Sequence, residues 1–300
     1  MSSILVIGDV YSETQYLVDR IPTQNEFILA SDATSIYGSK TVNASRVLSK
    51  LGNTVSFFAH AGADIDGDNA KQALINWKIT SLMKHVPEEK TGKIVVITDL
   101  SAKSSITLFR GANHTVSTLS INELKEIIIK QDAVYTVTNL PLESLYLLVQ
   151  LCSDNQVSLL IDVPNQHDAI DLFKLSSADF FIPNRQEAEL VLKSKISSIE
   201  EAKSAVWTMR KNLKGTIIIT LDKDGCVYLE KDSDIPIHLS ATSVKSVDET
   251  ASGDIFRGVF LHHFLESKNI EESLKRAVFI ASESTKIKGV DRTLTTISLK

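Results

Sequence analysis

Cysteine is scarce in this chain of 300 residues, which contains only Cys152 and Cys226. Two cysteines so far apart in sequence cannot build a dense disulfide framework, so a reducing, cytoplasmic setting is the simplest expectation. Long apolar runs are absent as well, because the first one, Ile4 to Ile7, is cut by Gly8 and Asp9. Such a run is too short for a secretory signal or a membrane span, and we expect no membrane partner.

An excess of positive charge is also missing. The chain has 32 Lys and Arg against 37 Asp and Glu, a formal net charge of −5. This balance gives no reason to expect nucleic acid or acidic membranes as partners. A hydrophobic content of 43% and a charged content of 23% are ordinary for a globular protein. The length fits one large α/β domain, with or without a small appendage.

Several well-defined catalytic motifs do not occur. The sequence has no Gly-x-Ser-x-Gly elbow, so acyl transfer is unsupported. It has no His-Glu-x-x-His or Cys-x-x-Cys pattern that would indicate a zinc site. A P-loop and the motif set of protein kinases are absent too, so a nucleotide would need a different kind of anion site.

Apolar strands alternate with helical patterns over most of the chain. Residues 4–7 and 55–58 read as buried strands, and helices are predicted from residue 40 and over 67–77. Strands that alternate with helices predict a parallel sheet covered on both faces, in the α/β class. After residue 116 the predicted helices are 121–130, 143–152, 167–174, 185–193 and 199–212, and the predicted strands are 133–138, 157–161, 179–182, 216–220 and 225–229.

Two segments differ in character from the rest. Segments 10–37 and 91–115 alternate apolar and polar residues instead of carrying continuous apolar runs. This alternation is typical of half-exposed strands. We therefore expect them to form a small sheet that stands off the main body.

The stretch Val247 to Phe264 is organised as a loop that enters a helix. Its first half is small and polar, and its second half has apolar residues at helical spacing. The start of such a helix offers free N–H groups and the positive end of the helix dipole, so it can bind an anion. The alternative is an ordinary helix start capped by Thr250, Ser252 or Asp254, with Gly253 easing the turn.

A second stretch of the same kind begins at Gly38. A short turn containing Lys40 and Asn43 leads into a helical pattern that Gly52 is expected to end. Here too, the alternative is a capped helix with Lys40 as a solvated surface residue.

Together these two stretches resemble the signatures of the ribokinase (PfkB-type) family of carbohydrate kinases. The family's C-terminal signature is Asp-x-x-Gly/Ala-Ala-Gly-Asp, and its N-terminal signature is Gly-Gly-Lys-Gly-x-Asn. Ser252 stands where the first usually has Ala, and Ser39 and Thr41 replace two glycines of the second. The residues in register are Asp248, Thr250, Ala251, Gly253 and Asp254 in the first signature, and Gly38, Lys40 and Asn43 in the second.

Two further positions extend this resemblance. Asn184 and Glu187 are similar to the family's Asn-x-x-Glu element near magnesium and phosphate. An amide and a carboxylate one helical turn apart could hold metal-bound waters, although the same pair also fits a capping box. Thr220 to Gly225 resembles the family's Thr-x-Gly-x-x-Gly nucleotide element, with Asp222 in place of the first Gly.

The resemblance implies a fold and an activity. It implies a three-layer α/β fold with a mostly parallel central sheet, whose core comprises residues 1–10, 38–90 and 116–300. Segments 11–37 and 91–115 would form a small β lid, through which family members can dimerise. The activity would be transfer of the γ-phosphate of ATP to a hydroxyl of a small carbohydrate, with Mg²⁺.

The roles of individual residues follow from the same resemblance. Asp254 would act as general base, and the N–H groups of Ala251, Ser252 and Gly253 would stabilise charge on the transferred phosphoryl group. Glu187 would hold Mg²⁺ through water, and Asp248 and Thr250 would border a monovalent cation such as K⁺. The sugar would meet Glu13, Gly38, Lys40, Asn43 and Asn139, and the nucleotide would meet Asn184, Thr220, Asp222, Gly225 and Gly253.

Two alternatives stay open at this point. The first is a nucleoside kinase on the same scaffold, with a larger pocket for a base. The second is a catalytically inactive member that binds a sugar and acts as a sensor. Asp222 and Ser39 favour the sensor, whereas the intact Asp254 argues against it.

Overall fold

The first strand, β1 (Ser3–Ile7), shows how the core is divided into two halves. The computed structural model describes residues 1–101, 103–163 and 170–299. Ile4 and Val6 belong to the apolar core on one side of a sheet, and Leu5 and Ile7 belong to the core on the other side. Because side chains of a strand alternate between faces, a strand that is apolar throughout must lie in a sheet covered on both faces.

That sheet has nine strands, in the order β15-β14-β13-β12-β11-β10-β1-β4-β6. At one edge, β14 pairs antiparallel with both β13 and β15, and the other pairings are parallel. The bounds are β4 (Thr54–Phe58), β6 (Thr80–Ser81), β10 (Ala133–Val137), β11 (Ser158–Asp162), β12 (Phe180–Phe181), β13 (Thr216–Thr220), β14 (Cys226–Leu229) and β15 (Ile237–Leu239).

Helices cover both faces of this sheet and complete three layers. On the face of Ile4 lie α1 (Lys40–Lys50), α2 (Ile65–Asn76), α8 (Ser252–Ser267), α9 (Ile270–Ser284) and α10 (Val290–Thr296). On the face of Leu5 lie α3 (Thr118–Glu123), α4 (Lys125–Ile128), α5 (Leu142–Asp154), α6 (Arg185–Leu192) and α7 (Ile199–Arg210). The predicted α/β class is confirmed. Within the described residues, no helix is long and apolar enough to cross a membrane.

A separate four-stranded sheet has the order β3-β2-β8-β9. Its strands are β2 (Tyr11–Val18), β3 (Ala30–Gly38), β8 (Gly92–Asp99) and β9 (Ser104–Phe109). These strands come from the two segments that were predicted to form a small sheet. Buried Asn113 ties the base of this sheet to the main body, because its side chain accepts from the N–H of Val10 and donates to the Val10 carbonyl, both at 2.9 Å. A third sheet, separate from the other two, consists of the strands β5 (His60–Gly62) and β7 (Lys84–Val86).

The elements differ from the sequence prediction in two places. The single helix predicted over 121–130 is two short helices, α3 and α4, separated at Leu124. This break at Leu124 keeps Ile121, Leu124 and Ile128 buried in the same core. The apolar spacing in the sequence did not reveal the break. The helix predicted over 167–174 falls partly on residues 164–169, outside the described residues, and its second half is the 3₁₀ helix Leu172–Leu175.

Candidate active site

The candidate site lies at the carboxyl edge of the large sheet. Asp9 and Asn139 follow β1 and β10, Asp162 ends β11, Asn184 follows β12, and Thr220 ends β13. Because these strands are parallel neighbours, their carboxyl ends bring the five polar side chains to one edge. Ligands of open α/β sheets bind in the crevice at this edge.

The loop before helix α8, residues 250–254, is here called the anion loop. Ala251 takes the left-handed conformation with φ 63°, and no side chain among the described residues caps the helix. The predicted alternative of an ordinary capped start is therefore wrong. The N–H of Ser252 donates to the carbonyl of Glu249 at 3.2 Å. The Ser252 N–H, which was predicted to stabilise the phosphoryl group, is thus engaged within the loop. The N–H groups of Ala251, Gly253 and Asp254 make no hydrogen bond to a described residue. Those of Gly253 and Asp254 lie in the first turn of the helix, where the helix dipole favours an anion.

Asp254 is the buried carboxylate at this helix start, with 6% of its surface exposed. Asn43 of α1 donates to its Oδ2 at 2.8 Å, so two distant predicted site residues do meet. Burial raises the pKa of Asp254 to about 7, while Arg257 and Asn43 pull the pKa down. A carboxylate with a pKa near neutrality is suited to accept a proton at physiological pH.

Lys40 points to carboxylates of the core. Its Nζ pairs with Oε1 of Glu187 and lies 3.6 Å from Oδ2 of Asp162. Burial lowers the pKa of Lys40, but these two carboxylates raise the pKa by more, so the side chain stays protonated and positively charged. The contacts therefore direct Lys40 toward the predicted phosphate and metal side, whereas the resemblance had implied a sugar contact.

Asn184 and Glu187 form the capping box considered from the sequence, and their role beside metal-bound waters stays a prediction. The Asn184 side chain accepts from the N–H of Glu187 at 2.8 Å, and Oε2 of Glu187 accepts from the N–H of Asn184 at 2.7 Å. This is a complete capping box for α6. Glu187 is also 1% exposed and ion-paired with Lys40, so the capping box holds a carboxylate inside the site.

The strands of the small sheet carry the predicted sugar contacts Glu13 and Gly38. Glu13 accepts from the side-chain amide of Gln15 at 2.5 Å, and it pairs across the sheet with Ile36 and Ile94. Gly38 ends β3, opposite Tyr11. No described contact joins the side chain of Glu13 to Asp254 or Lys40.

Ser39 replaces a glycine of the family signature without backbone strain. Its φ of −177° is extended backbone, which any residue adopts, and its hydroxyl caps α1 by accepting from the N–H of Val42. The same hydroxyl donates to the carbonyl of Asp9 at 2.6 Å. The serine therefore fixes the junction between the small sheet and α1.

Asn139 belongs to a buried polar cluster with Asp9. Oδ2 of Asp9 accepts from the Asn139 amide at 2.9 Å and from the hydroxyl of Tyr11 at 3.0 Å. Burial raises the pKa of Asp9, against the hydrogen bonds from Asn139 and Tyr11. Asp9 was not among the residues predicted for the site, although its place directly after a buried strand pointed to it.

Two further residues of the site were also missed. Asp162 is fully buried at the end of β11, and Arg257 in α8 lies 2.8 Å from its Oδ1. Asp162 could have been found as a polar residue that ends an apolar strand. Arg257 had no such signal, because a cation inside a helical pattern normally lies on the solvated face.

The nucleotide residues predicted from Thr220 to Gly225 form a tight turn. Thr220 bridges to Asn184, so these two predicted residues are neighbours. Asp222 is exposed and has φ 53°, a left-handed conformation that asparagine and aspartate tolerate better than most residues. Gly225 has φ 88°, and a Cβ there would overlap the carbonyl of Leu239.

Asp248 pins the start of the anion loop. One carboxylate oxygen accepts from the N–H of Thr250 at 2.9 Å, and the other accepts from the N–H of Gly289 at 2.8 Å. These hydrogen bonds lower the pKa of Asp248, against the effect of burial. Both oxygens are thus engaged by backbone, and a monovalent cation at Asp248 and Thr250 stays a prediction.

Comparison with known proteins adds a family to this geometry. The model of the pfkB family carbohydrate kinases matches residues 1–297. A deoxyribokinase of Salmonella typhi is 25% identical over 287 residues, which cover 95% of this chain and 93% of that protein. A ribokinase of Haemophilus influenzae is 26% identical over 296 residues, covering 98% and 95%.

Solved structures show the same fold at lower identity. The ribokinase from Giardia lamblia superposes with a TM-score of 0.88 at 20% identity, covering 98% of this chain and 95% of that one. The Arabidopsis thaliana ribokinase complexed with ribose and ATP gives a TM-score of 0.86 at 23% identity, covering 99% of both chains. With the family match over almost its whole length, the chain belongs to the pfkB family of carbohydrate kinases, which are phosphotransferases with an alcohol group as acceptor.

Proposed function

We propose that the protein transfers the γ-phosphate of ATP to a hydroxyl group of a small carbohydrate, with Asp254 as general base. One observation carries this proposal: a buried carboxylate with a pKa of about 7 lies at an uncapped helix start, beside two available N–H groups. These are the two functions that phosphoryl transfer to an alcohol requires, a proton acceptor and a site for the phosphoryl oxygens.

The reaction follows from these positions. A carboxylate oxygen of Asp254 takes the proton of the sugar hydroxyl as the hydroxyl oxygen attacks the γ-phosphorus. The bond from that phosphorus to the β,γ-bridging oxygen breaks, and ADP leaves with the electron pair. The N–H groups of Gly253 and Asp254 stabilise the negative charge on the transferred phosphoryl group. Asn43 holds the carboxylate in place through its hydrogen bond to Oδ2.

The residues near Asn184 fit an Mg²⁺ ion held through water. Oε1 of Glu187 is paired with Lys40, and Oε2 accepts from the N–H of Asn184. Oε2 also accepts from Nη2 of Arg257 at 3.5 Å. Oε1 therefore keeps a lone pair for a water, and neither oxygen is free to ligate an ion directly. Mg²⁺ usually retains several waters and binds phosphate oxygens, so Glu187 would hold it indirectly. When bound with ATP, the ion supplies positive charge that screens the phosphates.

For the sugar we propose a pentose, because the relatives quoted above are a deoxyribokinase and ribokinases. The polar cluster of Asp9 and Asn139 lies at the same sheet edge as Asp254. One oxygen of each of these two side chains is buried without a partner among the described residues. Both oxygens are acceptors, so they suit the hydroxyl donors of a sugar.

The small sheet would serve as a lid and as a dimer contact. The face that carries Glu13 also carries Ile94 and its cross-strand partner Leu108, with Ile106 next along β9. Ile106 is 66% exposed and Leu108 is 37% exposed. Covering these side chains by the same face of a second copy would remove apolar area from water. Light scattering of the wild type and an Ile106→Asp variant tests this, with a shift from dimer to monomer expected.

The activity is tested by Mg·ATP-dependent ADP release. The panel contains ribose, 2-deoxyribose, hexoses, ketoses and nucleosides, and Asp254→Asn is the matched control. We expect turnover of one pentose, lost by orders of magnitude in the variant. Preferred turnover of a nucleoside would make the protein a nucleoside kinase. Binding of ATP or sugar without turnover, equal in both proteins, would replace the enzyme with a sugar-binding sensor.

A further inference from the structure

One arginine is buried in the second turn of α8, three residues after Asp254. Arg257 is 3% exposed. Its Nε and Nη2 donate to the carbonyl of Ile182 at 3.2 and 2.9 Å. Nη2 also lies 2.8 Å from Oδ1 of Asp162 and 3.5 Å from Oε2 of Glu187. These contacts hold one side of the guanidinium in a single orientation.

The other nitrogen, Nη1, faces the anion loop. It makes no hydrogen bond to a described residue, and it lies 4.0 Å from Oδ1 of Asp254. A Cβ placed on Gly253 would lie only 2.8 Å from Nη1. Because the guanidinium is anchored on its far side, it cannot easily withdraw, and a side chain at residue 253 would press against it. Nη1 therefore has N–H donors to spare directly beside the loop.

The charge of the cluster also depends on this arginine. Three carboxylates, Asp162, Glu187 and Asp254, surround two cations, Lys40 and Arg257. Without the guanidinium, one lysine would face three buried carboxylates at the place where an anionic phosphate has to bind. Stability alone does not explain such an arrangement, because apolar side chains in place of buried ion pairs are often at least as stable.

We propose that Arg257 is a catalytic residue for phosphoryl transfer, which supplies fixed positive charge beneath the anion loop. The proposal rests on the ATP-dependent kinase activity proposed above. The guanidinium keeps the Asp254 carboxylate and Glu187 in place, and its free Nη1 side stabilises the phosphoryl oxygens that the loop receives. Charge fixed in a buried site acts strongly, because little solvent screens it.

The test separates this role from a purely structural one. Arg257→Met leaves Lys40 as the one cation that the described residues place beside Asp162 and Glu187, and it is expected to lower stability. The double variant Arg257→Met/Asp162→Asn removes one charge of each sign, so the net charge of the cluster is unchanged. Arg257→Lys keeps the positive charge. The matched control is Arg46→Met. Arg46 lies on α1, away from the sheet edge, and this substitution breaks its ion pair with Asp291.

Five quantities are measured for each protein: the unfolding midpoint, kcat, the KM for the sugar, the affinity for ATP and the affinity for AMP. For the double variant we expect a midpoint near that of the wild type and a kcat about 100-fold lower, with the sugar KM within about threefold. Its affinity for ATP should fall about tenfold while its affinity for AMP, which lacks the outer phosphates, is unchanged. Arg257→Lys should retain ATP affinity, and the control should lose stability only.

A double variant with wild-type stability, kcat and ATP affinity would overturn the proposal and leave Arg257 a structural residue. The same holds if Arg257→Lys loses as much ATP affinity as Arg257→Met. If the wild type phosphorylates no sugar, the proposed function fails, and the comparison of ATP with AMP decides the role of Arg257 by itself. An unchanged ATP affinity then refutes the role, and a selective loss supports it.

Discussion

Replacing Asp254 by asparagine should make the protein less active and, above pH 7, more stable. The carboxylate lies 2.8 Å from the Asn43 amide, and asparagine can keep that hydrogen bond through its own oxygen. Loss of a general base costs about 10²- to 10⁴-fold in rate. We therefore expect kcat to fall by that range, while the sugar KM stays near its wild-type value.

The stability effect follows from the raised pKa. Burial raises the pKa of Asp254 from 3.8 to about 7, so the folded protein binds this proton more tightly than the unfolded chain does. Below the unfolded pKa of 3.8, the Asp254 side chain makes its full contribution to the stability of the folded protein. This contribution is lost as the pH rises through the folded pKa of about 7. A shift of this size corresponds to about 4 kcal/mol at most, and local relaxation reduces it. The neutral amide escapes this cost.

Urea unfolding of both proteins at pH 6 and pH 8 measures the difference. The variant should gain stability relative to the wild type, by about 1 kcal/mol more at pH 8 than at pH 6. Asp248→Asn, two residues before the anion loop, is the matched control. Its pKa is lowered in the fold, so this substitution should destabilise at both pH values. A variant of Asp254 that loses stability at pH 8, or keeps kcat within tenfold, would refute the reasoning.

Three further predictions concern residues around the site. Asn43→Ala removes a hydrogen bond that lowers the pKa of Asp254, so the acidic midpoint of the kcat/KM profile should move to higher pH; an unmoved midpoint would exclude Asp254 as the titrating base. Gly225→Ala places a Cβ against the Leu239 carbonyl at φ 88°, and should cost about 2 kcal/mol or more in urea unfolding, unlike alanine at an exposed turn. The thiols of Cys152 and Cys226 are buried, and burial raises the pKa of each to about 12; a thiol reagent should react with neither in the native protein and with both in urea, and fast native labelling would contradict their burial.

Local sequence determined the elements of this protein and the loops that begin its site. The apolar runs of β1 and β4 and the helical spacing after Lys40 and Ser252 predict buried strands and helices at the correct places. Helix caps are equally local, because the Asn184–Glu187 box involves residues only three apart. The anion loop was visible for the same reason, since a run of small residues before an apolar helix is enough to leave N–H groups available.

Only the tertiary structure decided which side chains meet. Asn43 and Asp254 are 211 residues apart and Lys40 and Glu187 are 147 apart, yet each pair is in contact. Such contacts depend on the order of strands in the sheet, which places the carboxyl ends of β1, β10, β11 and β12 side by side. No local pattern specifies that order. The burial of Arg257 follows from it as well, because only the packing of α8 over this edge surrounds the guanidinium with carboxylates.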